Sequence, residues 1–340
     1  MGDEQVRMSL PEVEDLAARI CRGAGYSAEH AAAIARTVAT AERDEARSHG
    51  LFRIPFYLSA LQAGGVSPDA EPSFTEPAPA VIRADAANAF APRALELGTP
   101  RLAERARETG IAALAVVNAY NVAALWPEVE RLAEDGLAAV AFTASLAYVA
   151  PAGGTEPLYG TNPMAFAWPR ADAPPVVFDQ ASSAGARGEI QLRLRDGERI
   201  PEGWAVDRHG NPTTDPAAAL EGAQLPFGGY KGASIALMIE LLAGPLLGDL
   251  MSFEASQVDT AGTGAPRGGE LIIAMSPERF TGAADPSAQL ERAERLFERV
   301  LAQEGTRLPA DRRYEARVRT AQQGITLPRA FYEKLHGYLS

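Results

Sequence analysis

The chain has 340 residues, of which 46% are hydrophobic and 22% charged. This composition is typical of soluble globular proteins, and the length favours two domains over one. The formal net charge of −12, without any cluster of Lys and Arg, argues against a nucleic-acid-binding surface.

Cysteine usage and hydropathy further limit the class of protein and its cellular location. The single cysteine, Cys21, excludes an intramolecular disulfide and indicates a reducing, cytoplasmic location. No Cys/His set has the spacing of a metal site. The N-terminal MGDEQVRMSLPEVED lacks an apolar segment, and the longest apolar stretch, near 233–248, is interrupted by polar residues. We therefore expect neither a signal peptide nor a membrane span.

The first part of the chain carries helix patterns. In SLPEVEDLAARICR (residues 9–22), Ser9 and Glu12 have the spacing of a capping box. A second helix is predicted from a cap at Ser27 to about residue 46, and a third over about 51–63. A long Ala/Leu/Arg pattern predicts another helix over 88–109.

Short apolar runs then predict strands at 80–84, 112–117, 137–144, 163–168, 174–179 and 271–275. Helices are predicted at 123–135 and at 231–243, and the second is apolar nearly all round, so we expect it to be buried. Long Gly/Pro-rich loops, which are often functional, are predicted at 146–163, 180–189, 201–232 and 252–269. The alternation of predicted strands and helices permits a doubly wound α/β fold. However, the G-x-G-x-x-G motif that is a signature of that fold does not follow any predicted strand.

The stretch RSHGLFRIP (47–55) contains one of only four histidines. If the segment is helical, His49 and Arg53 share a face. One interpretation is a surface imidazole beside a capping serine. The other is a catalytic histidine that transfers a proton while Arg53 binds a substrate carboxylate through two hydrogen bonds. Residue types alone leave both interpretations open.

Several longer motifs resemble the malate/L-lactate dehydrogenase-type oxidoreductases, in the same order along the chain. They are SHGLFRIPFYLSALQAGGV (48–66), YGTNPMAF (159–166), VVFDQASS (176–183), IPEGWAVDRHGNPTTDP (200–216) and LPFGGYKGASIALMIELLAG (225–244). The resemblance covers roughly residues 5–330. Within the family, AALWPEVE (123–130), LPFGGYKGA (225–233) and RLPADRRY (307–314) are most similar to delta-1-piperideine-2-carboxylate/delta-1-pyrroline-2-carboxylate reductases.

This resemblance implies an NAD(P)H-dependent reductase that transfers a hydride to the C=N carbon of a small, cyclic imino acid. NADPH is the expected cofactor, with NADH as the alternative. The implied α/β fold has a non-Rossmann NAD(P)-binding domain with a mostly antiparallel sheet, over 121–284. Residues 1–120 with 285–340 would form a helical domain that makes a homodimer. No nucleic acid, membrane or metal is expected as a partner.

The resemblance also implies residue roles. His49 would donate the proton, with Ser48 and Glu189 as relay residues, although relatives carry Asp in place of Glu189. Arg53 would bind the substrate carboxylate, and Thr161 would also contact substrate. Cofactor contacts are implied at Asn121, Val122, Ala123, Ala124, Leu125, Asp179, Gln180, Ala181, Tyr230, Lys231, Arg307, Leu308, Pro309 and Asp311. Taken without the family, several of these positions would be read as ordinary loop or surface residues.

The sequence departs from the family pattern at Asn121-Val122, where the family usually has a His followed by an aromatic residue. Asn can form hydrogen bonds but cannot exchange a proton near neutral pH. The change favours imine reduction over 2-hydroxy acid oxidation, because an imine nitrogen is more basic than a ketone oxygen. Gln180 and Ala152 also differ from the family pattern. These changes favour an unusual substrate, such as a modified imino acid of specialised metabolism.

Two alternatives to an imine reductase remain. One is a 2-hydroxy acid dehydrogenase of the malate or lactate type, against which Asn121 argues. The other is a non-catalytic homologue that binds a nucleotide or an imino acid. The joint presence of Ser48, His49 and Arg53 argues against this second alternative.

Overall fold

A computed structural model of the protein describes residues 4–282 and 287–339. The strands in these ranges are β1 (Gln5–Met8), β2 (Ser73–Ala78), β3 (Val81–Asp85), β4 (Ile111–Tyr120), β5 (Ala138–Thr143), β6 (Met164–Trp168), β7 (Val176–Gln180), β8 (Ala205–Val206), β9 (Pro212–Thr213), β10 (Ala223–Gln224), β11 (Arg267–Met275) and β12 (Ile325–Pro328). The helices are α1 (Leu10–Ala24), α2 (Ala28–Arg43), α3 (Ile54–Gln62), α4 (Ala91–Thr109), α5 (Trp126–Glu134), α6 (Arg187–Asp196), α7 (Pro216–Glu221), α8 (Tyr230–Ala243), α9 (Ser252–Val258), α10 (Pro277–Thr281), α11 (Ser287–Leu301), α12 (Asp311–Gln323) and α13 (Arg329–His336).

The centre of the molecule is a sheet with the strand order β2-β3-β4-β11-β5-β6-β7. Only the β3–β4 pair is parallel, so the expected, mostly antiparallel sheet is confirmed. Side chains of β4 alternate between its two faces. Leu114 packs in the core that contains α4 and α5, whereas Ala115 packs with Ile239 of α8.

The two ends of the chain meet in a second core. Strand β1 pairs antiparallel with β12, with Gln5 opposite Pro328. Helices α1 and α2 bury Ile20 and Ile34 in the same cluster as Leu335 of α13. The capping box at the start of α1 is confirmed, because Glu12 Oε2 accepts from the Ser9 backbone N–H at 2.7 Å and Ser9 Oγ accepts from the Glu12 backbone N–H at 3.4 Å.

Two expectations about the elements are wrong. Helix α8 is present, but it is not buried all round, since Leu237 is 46% and Leu241 is 51% exposed. Its other side packs on the sheet, and an apolar pattern alone does not say how many sides of a helix are covered. The predicted loops at 201–232 and 252–269 also contain the short elements α7, β8 to β10 and α9.

The domain boundary near residue 120 stays a prediction. Strand β4 ends at Tyr120 and pairs with β11, so the sheet contains strands from both predicted segments. Within the described ranges, none of the helices is long and apolar enough to cross a membrane.

Candidate active site

His49 lies in a tight connection between α2 and α3. Two 3₁₀ turns, Arg47–His49 and Leu51–Arg53, flank Gly50. The Glu42 carboxylate is 3% exposed and accepts from the Leu51 backbone N–H at 2.7 Å. A Cβ atom at Gly50 would overlap Glu42 Oε1. Glycine is therefore required here because a buried carboxylate occupies the space of any side chain, and this carboxylate fixes the turn that carries His49.

The His49 ring is held by two neighbours. Ser48 Oγ lies 3.1 Å from His49 Nδ1, which leaves Nε2 for a substrate. The ring also packs at 84° to the Trp126 ring, with centroids 6.5 Å apart. Burial, and then the charge of Arg53, lower the pKa of His49 to about 3. The imidazole is therefore neutral at neutral pH while Arg53 has no anionic ligand.

Arg53 is a cation without a complete set of partners. Its Nε atom is buried and has no hydrogen-bond partner among the described residues. Its Cζ atom lies 5.0 Å from the centroid of the Phe56 ring, and burial lowers the pKa of the guanidinium. A buried charge with an unsatisfied donor is costly, and a bound carboxylate would offset that cost.

His49 and Arg53 line one cavity of about 360 Å³. This volume suits a small ligand. The other predicted site residues in its lining are Ala123, Ala124, Thr161, Asp179, Gln180 and Ala181. The structure thus brings together His49, Arg53 and part of the cofactor set that the resemblance implies, and their roles stay predictions.

A second cavity, of about 650 Å³, adjoins the first. The two share Asp179 and Arg313, and the second is lined by the predicted residues Arg307, Leu308 and Pro309. Arg313 Nη1 is buried and has no hydrogen-bond partner within the described ranges. An extended groove with an unsatisfied guanidinium part-way along it fits a dinucleotide, whose phosphates need such donors.

Asp179 fixes the start of α5. Its Oδ2 atom accepts from the backbone N–H of Leu125 at 2.8 Å and of Trp126 at 3.1 Å. Burial raises the pKa of Asp179, and these hydrogen bonds and Arg313 oppose the rise. The Val122 and Leu125 side chains are buried, whereas Ala123 and Ala124 line the cavity.

Asn121 lies behind the same loop. Its Nδ2 atom donates to Glu270 Oε2 at 2.6 Å, and its Oδ1 atom accepts from the Ala123 backbone N–H at 2.8 Å. Glu270 is 1% exposed. The residue at the position where the resemblance implies a histidine therefore connects the cavity wall to a buried carboxyl group.

Other predicted residues lie outside both cavity linings. Glu189 Oε1 accepts from Arg193 Nε at 3.0 Å, on the same helix. Tyr230 is 70% exposed, and Lys231 is also exposed, at the start of α8. Asp311 Oδ2 accepts from the Leu308 backbone N–H at 2.8 Å, so it shapes the groove from behind. The roles assigned to these four residues stay predictions.

The cavity-wall residues that sequence reasoning missed include Trp126, Tyr148, Arg187 and Arg313. Tyr148 and Arg187 lie in segments predicted as functional loops, which was the available signal. Gln180 lines the cavity, whereas Ala152 is exposed and lies outside both linings. The described residues contain no group of three or more His, Cys, Asp or Glu side chains that could hold a metal ion.

Comparison with known proteins agrees with this geometry. Residues 8–336 match the malate/L-lactate dehydrogenase family. The chain belongs to this family. A family member from Pseudomonas aeruginosa, a delta(1)-pyrroline-2-carboxylate/delta(1)-piperideine-2-carboxylate reductase, is 52% identical over 330 residues, which are 97% of this chain and 98% of the relative. A delta(1)-pyrroline-2-carboxylate reductase from Ancylobacter novellus is 50% identical over 333 residues, covering 98% and 97% of the two chains.

A solved family structure has the same fold. The crystal structure of delta1-piperideine-2-carboxylate reductase from Pseudomonas syringae pv. tomato superposes with a TM-score of 0.92 at 42% identity, covering 98% of this chain and 99% of that one. The family expected from the motifs is thus confirmed, as is its mixed α/β fold. Membership in a family of dehydrogenases and reductases implies a nicotinamide cofactor.

Proposed function

We propose that the protein is an NAD(P)H-dependent reductase of cyclic 2-imino acids. Its substrate resembles pyrroline-2-carboxylate or piperideine-2-carboxylate, and the hydride is added to the C=N carbon. One observation carries the proposal: Arg53, a buried cation whose Nε has no hydrogen-bond partner among the described residues, lines the same cavity as His49. The names of the relatives support the same substrate class.

Arg53 binds and orients the substrate through its carboxylate. A planar guanidinium can donate two parallel hydrogen bonds to a carboxylate, which fixes the direction of the attached ring. Thr161, on the same cavity wall, limits where the ring can lie. Orientation of this kind can lower a barrier by roughly 7–11 kcal/mol at best. When bound, a reduced nicotinamide supplies the hydride.

His49 handles the proton of the substrate nitrogen. An imine nitrogen is basic, so the substrate can arrive as an iminium or take its proton from His49. A carboxylate bound to Arg53 offsets the charge that holds the pKa of His49 down, so substrate binding makes the protonated imidazole easier to form. Ser48 orients the ring through Nδ1. Glu189 joins this relay only if its carboxylate leaves Arg193.

The groove from Ala123 to Pro309 is proposed to hold the cofactor, with NADPH favoured and NADH as the alternative. Its first part is lined by Ala123, Ala124, Gln180 and Ala181, and its second by Arg307, Leu308 and Pro309. Arg313 at the junction can donate to a phosphate. Asn121, Val122, Leu125, Asp179 and Asp311 support the groove, and Tyr230 and Lys231 complete the proposed set.

A homodimer is proposed as the working form, in a cytoplasmic location. Exposed apolar side chains near the end of α8, at Leu237, Leu241 and Leu246, support an interface. This surface lies outside the terminal segments, 1–120 and 285–340, to which the resemblance assigns dimerisation. Light scattering on the purified protein would measure the molecular mass and test the proposal.

A substrate panel tests the reaction itself. NADPH and NADH oxidation would be followed with pyrroline-2-carboxylate, piperideine-2-carboxylate, pyruvate and oxaloacetate. We expect kcat/KM to be at least about 100-fold higher for the imino acids, because Asn121 cannot supply the proton that a ketone needs. Faster reduction of pyruvate or oxaloacetate would instead identify a 2-hydroxy acid dehydrogenase.

A further inference from the structure

Two cavity residues have no role in the reaction described so far. Tyr148 follows β5 and Arg187 begins α6, and both line the cavity with Arg53. The Arg187 Cζ atom lies 3.7 Å from the centroid of the Tyr148 ring, so the guanidinium stacks on the ring. Arg187 Nη2 also donates to the Leu220 carbonyl oxygen at 3.2 Å. These two contacts fix the guanidinium, and through it the phenol ring.

Tyr148 shares the cavity wall with both arginines. Burial and the charge of Asp259 raise the pKa of Tyr148, and Arg187 and Arg53 only partly oppose this rise. The phenol is therefore a neutral donor that leaves both positive charges uncompensated. Because Asp179 is already engaged with the start of α5, this end of the cavity has an excess of positive charge.

The start of α6 also closes against Arg53. A Cβ atom at Gly188 would lie 3.2 Å from Ser48 Cβ and 3.5 Å from Arg53 Nη2. The residue next to Arg187 is thus in close contact with the proposed carboxylate-binding arginine. An anion bound to Arg53 therefore occupies a cavity whose wall also contains Tyr148.

We propose that Tyr148 donates a hydrogen bond to the substrate carboxylate held by Arg53, and that Arg187 is the positioning residue that holds Tyr148. This inference rests on the proposed function, since it names a further substrate contact in the same site. It makes the carboxylate site a composite of one guanidinium and one phenol, with a second guanidinium behind the phenol.

Tyr148→Phe tests the contact because it removes only the hydroxyl. Pyrrole-2-carboxylate and its neutral analogue pyrrole-2-carboxamide would be titrated calorimetrically into the full-length protein containing NADPH. We expect the Kd for the carboxylate to rise about 10- to 100-fold, the loss typical of a hydrogen bond to a charged group, while the Kd for the carboxamide changes less than about threefold. Tyr159→Phe is the matched control, because Tyr159 lies in the same loop but outside the cavity lining.

Arg187 is tested through its coupling to Tyr148. Arg187→Met should raise the same Kd. The Kd of the double variant Y148F/R187M should lie within about twofold of the Kd of the weaker-binding single variant, because both changes remove the same interaction. Arg187→Lys should give a partial loss, since it keeps the charge but not the stacked plane. Arg195→Met on the same helix, whose side chain pairs with Asp196 at the surface, should behave as wild type.

The outcomes separate this inference from the proposed function. If the wild type reduces imino acids and binds pyrrole-2-carboxylate, but Y148F binds it equally well, the Tyr148 contact is wrong and the reaction stands. Additive losses in the double variant would overturn the positioning role of Arg187. If the wild type neither binds the carboxylate nor reduces any imino acid, both proposals fall.

Discussion

Asn121 Nδ2 donates to the carboxylate of Glu270 at 2.6 Å, across a separation of 149 residues in the sequence. The same side chain holds the Ala123 backbone N–H at the cavity wall. Asn121 thus has a structural task, which is to connect the loop at Ala123 to the central sheet.

Asn121→Ala should therefore weaken both the fold and cofactor binding. It leaves a buried carboxyl group and a backbone N–H without partners, which typically costs about 1–3 kcal/mol. Urea unfolding should show this loss, and the KM for NADPH should rise more than the KM for the imino acid. Asn211→Ala is the control, because Asn211 bonds Asp207 in an exposed turn. Equal effects of the two substitutions would contradict the account.

Glu270 should make stability depend on pH. Burial raises the pKa of Glu270 to about 8, against 4.5 for an ordinary glutamate, so the folded protein keeps a proton that the unfolded chain has released. Its stabilising contribution is complete below pH 4.5 and is lost as the pH rises through 8. Relative to Glu270→Gln, the free energy of unfolding of the wild type should fall between about pH 5 and pH 8, by at most about 1.4 kcal/mol per pH unit. Parallel pH profiles of the two proteins would refute this.

Gly50→Ala should damage the turn that carries His49. The added methyl group overlaps the Glu42 carboxylate. Overpacking of this kind typically costs about 1–3 kcal/mol, and the displaced imidazole should lower kcat more than tenfold. Gly23→Ala is the matched control, because a Cβ atom at Gly23 in helix α1 would meet nothing within 4 Å and alanine favours a helix. Chemical unfolding and steady-state kinetics measure both effects. An unchanged kcat in G50A would contradict the role of this turn.

Charge at Arg53 should control the titration of His49. After burial, the Arg53 charge is the cause that lowers the pKa of His49 to about 3. Arg53→Met should therefore raise this pKa, and so should pyrrole-2-carboxylate bound to the wild type. Nuclear magnetic resonance of ¹⁵N-labelled histidine would follow the titration, with surface-exposed His209 as an internal reference. A His49 pKa that responds to neither change would show that the two side chains are not electrically coupled.

Local sequence signals predicted much of the fold. Ser9 and Glu12 identified the start of α1, and short apolar runs located the sheet strands, because both signals act over a few residues. The exposure of Leu237 and Leu241 could not be predicted, since a pattern that is apolar on every side does not say which side the sheet covers. The helix at Ser252–Val258 was missed because its segment is surrounded by Gly and turn residues.

For the candidate site, too, the residues found from the sequence belong to local motifs, and those missed depend on contacts between distant segments. His49 and Arg53 were found because one turn carries both and the motif around them is long. Tyr148 and Arg187 were missed because they meet only after folding. Tyr148 precedes β6 in the sequence, whereas Arg187 follows β7. The link from Asn121 to Glu270 is likewise a contact between distant segments that no local pattern contains.

The central claim is that His49 supplies the proton of the substrate nitrogen once a carboxylate is bound at the neighbouring Arg53. The most direct measurement is the single-turnover rate of NADPH oxidation by His49→Ala with piperideine-2-carboxylate, in stopped flow. The account predicts a rate about 10²- to 10⁴-fold below wild type, with the NADPH Kd unchanged within about twofold. A His49→Ala variant that reduces the imino acid at the wild-type rate would contradict it.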